Sequence, residues 1–321
     1  MHVDDTISAD QALRLINRGT TLHWKGDYHN AKQLLAALGR RLPRQRTGSF
    51  QAQREAQAER TRILNALLIP LTNHQISLRR APDVQVACAE AYGQPTGDRW
   101  IPLRELLGVI GAHQLRRRGV YVPALGDRIH PHYGVFAPTR SEYADLVAQH
   151  PLPPGAGTAF DIGTGTGVLA AIAGRRGIPR VVATDNNPRA VGCARENLHR
   201  LGVNAEVLET HLFPPGRADL IICNPPWLPA KPLTTLDQAV YDEDHRMLRN
   251  FLRSAGAHLT PNGEIWLILS YLAERLGLRE RDDLLEMFDA GRLRVTGRVE
   301  TPARHRRARQ QEVTTLWHLQ P

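Results

Sequence analysis

Two short runs in this 321-residue chain combine residue types and spacings that are suited to chemistry. Residues 161–167 read Asp-Ile-Gly-Thr-Gly-Thr-Gly, and residues 224–227 read Asn-Pro-Pro-Trp. Apolar residues precede and follow the first run, which predicts a buried strand, a glycine-rich turn and then a helix. Glycines in such a turn let a ligand lie close against the backbone. The first run therefore predicts a ligand-binding turn.

The spacing of these glycines indicates the class of ligand. A dinucleotide-binding fingerprint needs its third glycine three positions after the second, and that position is Val168. A second predicted strand ends at Asp185, where an open α/β sheet offers a carboxylate to ribose hydroxyls. NAD is therefore disfavoured, and a nucleoside ligand is favoured.

The glycine turn, Asp185 and residues 224–227, in this order and at these separations, resemble the class I S-adenosylmethionine (SAM) dependent methyltransferases. The Asn-Pro-Pro-aromatic run resembles the branch that methylates planar nitrogens. That branch includes release-factor glutamine methyltransferases, N6-adenine methyltransferases and ribosomal-RNA guanine-N2 methyltransferases. The resemblance implies an enzyme, and SAM as its cofactor.

The resemblance also implies roles for residues 224–227. The side-chain oxygen of Asn224 and the carbonyl of Pro225 would accept the two N–H bonds of the target nitrogen. Pro226 would help to fix the backbone, and Trp227 would stack on the planar acceptor. A rigid turn after a strand is the alternative explanation of this run, because prolines and asparagine are common there.

A cofactor site and a substrate site follow from the same resemblance. The residues implied to bind the cofactor are Asp161, Gly163, Thr164, Gly165, Gly167, Asp185, Asn186, His211 and Asn224. His211 stands where many relatives have an acidic residue that contacts adenine, so recognition of adenine there stays open. Strand-end capping is the alternative for the two carboxylates. The residues implied to bind the substrate are Tyr133, Phe136, Trp227, Arg306 and Arg307, with packing or a solvated loop tip as the alternative.

Other candidate sites are weaker. Three isolated cysteines, an odd number, exclude a disulfide framework and a paired zinc motif. Cys223 is a possible nucleophile, but it also ends an apolar predicted strand. His130 and His132 are the nearest approach to a metal pair, and we predict no metal.

The charge distribution indicates an anionic partner. The net charge is +9, divided as +8 for residues 1–118, −4 for 119–291 and +5 for 292–321. Basic flanks favour nucleic-acid binding or contact with a ribosome surface, although a solvated helix surface explains the arginines equally well. No apolar run approaches the ~20 residues that span a bilayer, so we expect a cytoplasmic protein without a membrane partner.

The elements that must position these residues follow from hydrophobic periodicity. Residues 1–118 predict a mainly helical substrate-recognition domain, with helices capped by Ser8 and Asp27 and a long helix over residues 50–71. Residues 119–140 predict a β-hairpin linker and the segment leading into the site. Residues 141–321 alternate strands and helices, including a helix over 237–259, a strand over 264–269 and a final hairpin. They predict an α/β, doubly wound, mostly parallel seven-stranded Rossmann-like sheet.

The sequence leaves the methyl acceptor open among several candidates. We expect a planar nitrogen on a translation component, with a protein glutamine side-chain amide first, because the order of helical domain, hairpin and catalytic domain resembles the glutamine methyltransferases. An exocyclic base amine on RNA is the alternative that the basic flanks favour. A small-molecule N-methyltransferase and a noncatalytic SAM- or RNA-binding protein are further alternatives.

Overall fold

The computed structural model describes residues 1–43, 48–231, 240–303 and 312–321. The chain divides into two compact units, Met1–Leu115 and Arg116–Pro321. The division lies close to the boundary predicted at residue 118. The recognition role of the first unit stays a prediction. Among the described residues, no helix is both long enough and apolar enough to cross a membrane.

The first unit combines helices with a four-stranded sheet. Its helices are α1 (Ala9–Asn17), α2 (Tyr28–Arg41), α3 (Phe50–Asn65), α4 (Gln85–Tyr92) and α5 (Leu103–Arg118), the last of which continues past the division. Its strands are β1 (His2–Val3), β2 (Leu22–Trp24), β3 (Leu67–Thr72) and β4 (Asp98–Pro102), in the order β1-β2-β3-β4. The predicted caps are confirmed, because the side chain of Ser8 accepts from the Gln11 N–H and that of Asp27 from the His29 N–H.

The prediction of one helix over residues 50–71 is wrong. The helix ends at Asn65, and β3 follows, paired with β2 and β4. Leu67, Ile69 and Leu71 are buried while the residues between them are half-buried, which is the period of a strand. The apolar run over residues 66–71 fits either period, and pairing with β2 and β4 selects the strand. Reading helices alone therefore missed the whole small sheet.

The second unit is a doubly wound α/β structure, as predicted. A hairpin of β5 (Val120–Val122) and β6 (Asp127–Ile129) comes first. The strands that follow are β7 (Thr158–Ile162), β8 (Arg180–Asp185), β9 (Glu206–Glu209), β10 (Ala218–Cys223), β11 (Leu259–Ser270), β12 (Arg294–Pro302) and β13 (Val313–Gln320). The helices between them are α6 (Glu142–Gln149), α7 (Val168–Arg175), α8 (Pro188–Arg200), α9 (Arg246–Ala255), α10 (Leu272–Arg275) and α11 (Arg281–Ala290).

The seven strands form one sheet in the order β12-β13-β11-β10-β7-β8-β9. All neighbouring pairs from β11 to β9 are parallel, and β13 is antiparallel to both β11 and β12. One core contains residues of α6, α7 and α8, and a second contains residues of α9 and α11. Consecutive residues of β7 contribute to both cores, as expected for a parallel strand covered on its two faces.

The helix predicted over 237–259 is confirmed only for Arg246–Ala255. Residues 237–239 lie outside the described residues, and α9 begins only at Arg246. Asp244 and His245 have φ values of 56° and 54°, which interrupt a helix. The strand predicted from Glu264 begins earlier, at Leu259, where β11 pairs with the start of β10 through a register shift.

Candidate active site

The two runs that suggested chemistry leave neighbouring strands at the same edge of the sheet. Cys223 at the end of β10 lies opposite Ile162 at the end of β7, and Ile162 also lies opposite Thr184 of β8. Neighbouring strands are about 4.8 Å apart. The strand ends that lead into the glycine turn, Asp185 and Asn224 therefore lie side by side. This is the edge where open α/β sheets bind ligands.

The glycine turn has a backbone that other residues rarely adopt. The φ angles of Gly163, Gly165 and Gly167 are 72°, 56° and 82°. The amides of Gly163 and Thr164 both donate to the carbonyl of Thr184, at 2.9 and 2.8 Å, which ties the turn to β8. A Cβ on Gly165 would meet no other atom within 4 Å, so its backbone faces open space that a ligand can use.

Asp161 lies beneath this turn with its carboxylate half satisfied. Its side chain is buried, and its Oδ2 accepts from the Thr164 hydroxyl at 2.6 Å and from the Ala170 amide at 3.0 Å. Its Oδ1 has no hydrogen-bond partner among the described residues. Burial raises the pKa of Asp161 to about 6, despite the two hydrogen bonds. The site thus holds an acceptor that a cationic donor would satisfy.

Asp185 is anchored at both oxygens. Its Oδ1 accepts from the Asn187 amide at 2.9 Å, and its Oδ2 accepts from the Gly165 amide at 3.0 Å. Burial raises the pKa of Asp185, and these backbone bonds oppose that shift. The Asn186 amide also opposes the shift, and the carboxylate keeps acceptor capacity for a further donor. The neighbouring Asn186 is exposed at the same edge.

His211 follows β9, the edge strand next to β8. Its side chain is exposed, and the preceding Thr210 amide donates to the carbonyl of Asp185 at 3.0 Å. The Thr184 hydroxyl donates to the carbonyl of Leu212 at 2.6 Å, which holds the loop against β8. His211 is therefore at the same rim as Asp185. A contact with adenine stays a prediction.

Asn224 and Trp227 are joined directly. The indole Nε1–H of Trp227 donates to Oδ1 of Asn224 at 3.0 Å. Of the two residues between Asn224 and Trp227, Pro225 is buried and Pro226 is half-buried, so this turn is packed against the protein interior. Among the described residues, the Trp227 indole is the donor to Oδ1 of Asn224, which keeps a second acceptor position for another donor. The sequence pattern predicted a stacking role for Trp227 and gave no sign of this bond.

The segment around Tyr133 and Phe136 lies against the start of α8. Arg189 donates to the carbonyl of Tyr133 at 3.1 Å, and its guanidinium is 5.5 Å from the centre of the Tyr133 ring. Val135 packs with Ala190 of α8, whereas Phe136 is 40% exposed. Because α8 follows Asp185, Tyr133 is near the rim. Arg306 and Arg307 lie outside the described residues.

Two alternatives from the sequence lose support. Cys223 is fully buried, and burial with the nearby carboxylates of Asp161 and Asp242 raises the pKa of its thiol well above the ordinary value. Such a thiol stays protonated and is a poor nucleophile. His130 donates from Nδ1 to the carbonyl of Arg116, and Nε2 of His132 is bonded to Glu196. Within the described ranges, no group of three or more potential ligands is arranged to hold a metal.

Sequence reasoning missed the support that α9 gives to the site. Asp242 accepts at its two oxygens from the Met247 and Leu248 amides, at 3.0 and 3.1 Å, and so caps α9. A Cβ built on Gly163 would be 3.9 Å from the Met247 Cε, which places this side chain beside the glycine turn. The sequence did contain a signal for this cap, because Asp242 comes shortly before a segment with helical apolar spacing.

Comparison with known proteins identifies the family to which the second unit is similar. The family model described as "Methyltransferase small domain" matches residues 127–290, about half of the chain. The release factor glutamine methyltransferase of Geobacter sulfurreducens is 31% identical over 150 residues, which are 42% of this chain and 50% of that protein. The ribosomal protein L11 methyltransferase of Geobacter metallireducens is 46% identical over 70 residues, 22% of this chain and 23% of that protein.

One solved structure with a similar chain was also found. It is the ribosomal protein L11 methylase from Lactobacillus delbrueckii subsp. bulgaricus, with 20% identity and a TM-score of 0.44 over 62% of this chain and 89% of that chain. The chain spans half the length of the Geobacter sulfurreducens relative and about a quarter of the Geobacter metallireducens relative.

Proposed function

The chain belongs to the methyltransferase small domain family, and from that premise we propose that it methylates a planar nitrogen on a component of the translation machinery, using SAM. The first candidate acceptor is the side-chain amide of a protein glutamine. The single observation that carries this proposal is that Asn224 and the glycine turn leave adjacent strands at one edge. A methyl donor and an asparagine-held nitrogen can meet there.

The residues at this edge fit the cofactor. The unpartnered Oδ1 of Asp161 would accept from the ammonium group of the methionine part. The backbone at Gly163 and Gly165 would lie along the cofactor, and Asp185 would accept from the ribose hydroxyls. His211 and Asn186 border the same rim. A buried carboxylate with a raised pKa is suited to a cationic partner, because pairing with that partner favours its charged form.

The acceptor needs a different kind of help. A nitrogen of an amide or aromatic amine is a poor nucleophile because its lone pair is delocalised. The Oδ1 of Asn224 and the carbonyl of Pro225 would accept its two N–H bonds and so aim the lone pair, while Trp227 packs beside the planar group. Tyr133 and Phe136 would border the acceptor from the start of α8.

When bound beside the glycine turn, SAM would supply the methyl group, its sulfonium sulfur keeping the bonding electron pair, and the acceptor nitrogen would give up a proton in exchange for the new bond. The chain's own residues orient the two partners and exclude water. No residue has to act as a nucleophile, which is consistent with the protonated Cys223.

The relative named a release factor glutamine methyltransferase supports the glutamine acceptor. An exocyclic base amine on RNA is the second candidate, and the observation that favours it is the charge of +8 on residues 1–118 and +5 on residues 292–321. Either acceptor belongs to translation, and we therefore propose that the enzyme acts in the cytoplasm.

The test uses methyl-labelled SAM and a lysate from a strain that lacks this protein. Parallel reactions contain the wild type or Asn224→Ala, and each product is divided between protease and ribonuclease. We expect the wild type, but not Asn224→Ala, to transfer the labelled methyl group. Protease should remove this label from the macromolecular product, and mass spectrometry should locate it on a glutamine. Label lost to ribonuclease would select the RNA acceptor. Label that persists undiminished with Asn224→Ala would refute the proposed chemistry.

A further inference from the structure

The bond between Trp227 and Asn224 assigns Trp227 a second role. We propose that Trp227 is a positioning residue whose indole N–H fixes which end of the Asn224 carboxamide faces the acceptor nitrogen. The donor–acceptor distance is 3.0 Å. This inference rests on the proposed function, because it concerns how Asn224 is presented to the acceptor.

A carboxamide needs such a device because its two ends have almost the same shape. Rotation by half a turn exchanges an oxygen, which accepts hydrogen bonds, for an NH₂ group, which donates them. An indole N–H only donates, so its partner on Asn224 must be the oxygen. The Trp227 bond therefore favours one of the two orientations.

The favoured orientation is the one that methylation requires. Oδ1 of Asn224 has two lone pairs; within the described part of the chain Trp227 engages one, and the second can take an N–H of the acceptor. In the reverse orientation the Asn224 NH₂ would face both the indole N–H and the acceptor N–H. Donors that face donors lose their hydrogen bonds and gain nothing in exchange. Reversal would thus weaken acceptor binding and misdirect the nitrogen lone pair.

Trp227 is itself held firmly enough to orient another side chain. Its ring packs against residues of the two cores that cover opposite faces of the sheet. The next residue, Leu228, donates its amide to the carbonyl of Val240 and accepts from the Asp242 amide, at 3.0 and 2.8 Å. The Asp242 carboxylate caps α9. The indole is therefore tied both to the cores and to the helix beside the glycine turn.

The bond can be measured without any turnover. In a ¹H–¹⁵N spectrum the indole N–H of Trp227, identified by its loss in Trp227→Phe, should shift and exchange faster with water in Asn224→Ala. The indole of Trp24, which donates to the Asp27 carbonyl at 3.1 Å in the other unit, is the control and should not move. An unchanged Trp227 signal in Asn224→Ala would overturn the proposal.

Kinetics then measure the consequence for turnover. Trp227→Phe keeps an aromatic ring but loses the indole N–H together with part of the bicyclic face, so kcat should fall about tenfold while the SAM dissociation constant stays within about twofold. A thermal melt near that of the wild type would verify folding. Full kcat in Trp227→Phe, with the wild type active, would refute the positioning role. Absence of methylation by the wild type on protein and RNA alike would instead refute the proposed function, and the spectra would still test the bond.

Discussion

Asp219 lies near the amino end of β10, and Asp161 lies near the carboxyl end of the adjacent strand β7. These two ends of the parallel strands are called the amino edge and the carboxyl edge, and the surroundings of the two carboxylates differ. Oδ2 of Asp219 accepts from the amides of Gly157 and Thr158, both at 2.9 Å, and Oδ1 accepts from the Thr260 hydroxyl at 2.8 Å. Burial alone would raise the pKa of Asp219, but these three bonds outweigh it and lower the pKa. This carboxylate joins the starts of three strands.

Asp161, at the other edge, has one satisfied oxygen and one that has no partner among the described residues. Its pKa is raised to about 6, so folding disfavours its charged form, whereas folding favours that of Asp219. We infer that Asp219 contributes to stability at the amino edge, whereas Asp161 leaves an acceptor for a ligand at the carboxyl edge.

Asn224→Ala should give the largest effect on the carboxyl edge. Loss of the side chain that aims the acceptor should lower methyl transfer about a hundredfold or more. Because Asn224 is half-buried and follows β10, thermal stability should change little, and SAM affinity should fall far less than turnover because the glycine turn and Asp185 are unchanged. Initial rates, SAM titration calorimetry and thermal melts measure the three quantities. Turnover close to that of the wild type would remove Asn224 from the mechanism.

Gly167→Ala, at the carboxyl edge, should destabilise the protein more than the same substitution at a matched glycine elsewhere. A Cβ at this φ of 82° would lie 3.2 Å from the Ala194 Cα, so crowding adds to the cost of the left-handed backbone. We expect a loss of about 2 to 3 kcal/mol in unfolding free energy. Gly177→Ala is the control, since its φ is 93° but no atom lies within 4 Å, and about 1 kcal/mol is expected. Equal losses in denaturant unfolding would show that the approach of Ala194 is unimportant.

Two buried histidines should make the protein less stable in mild acid. Burial is the main cause that lowers the pKa values of His245 and His318 to about 4, with nearby positive groups contributing. Both are charged more readily when unfolded, so their stability contribution is full above pH 6.5 and is lost as the pH falls towards 4. We expect protonation of each histidine to lower the free energy of unfolding by about 1 to 2 kcal/mol at pH 5 relative to pH 7. Denaturant unfolding of the wild type and His318→Phe at pH 7 and 5 measures this, and the variant should show the smaller decrease. An equal decrease in both would refute the prediction for His318.

The sequence predicted the parts of the site that follow from chain order and strand direction. A parallel strand followed by a glycine turn must present that turn at its carboxyl end, and the same holds for Asn224 after β10. That β7 and β10 are neighbours did not follow from local pattern, because it depends on the order of strands in the folded sheet. The small sheet of the first unit was missed because β1 and β2 are only two and three residues long and are selected by distant pairing.

The electrostatics of the site were less predictable than its position. The sequence placed Asp161 at the turn, but its unpartnered oxygen depends on which amides and hydroxyls the folded chain brings near it. The Trp227 bond to Asn224 likewise depends on side-chain rotamers that a motif does not specify. Arg306 and Arg307, predicted to contact the substrate, lie outside the described residues, and their role stays a prediction.

The contrast between the two carboxylates is tested most directly by making one substitution at both positions. Asp161→Asn and Asp219→Asn are compared by thermal or denaturant unfolding without ligand at pH 7.5 and by calorimetric titration with SAM. Asp161→Asn should gain on the order of 2 kcal/mol of stability, because a carboxylate whose pKa is raised to about 6 loses stability as the pH rises through that value. It should also bind SAM at least tenfold more weakly.

Asp219→Asn should show the reverse, a loss of about 1 kcal/mol from weaker, uncharged hydrogen bonds, with SAM affinity within about twofold of the wild type. Opposite signs at the two positions are the predicted result. If Asp161→Asn is less stable than the wild type and binds SAM as tightly, the carboxyl edge is an ordinary strand end and the account is contradicted.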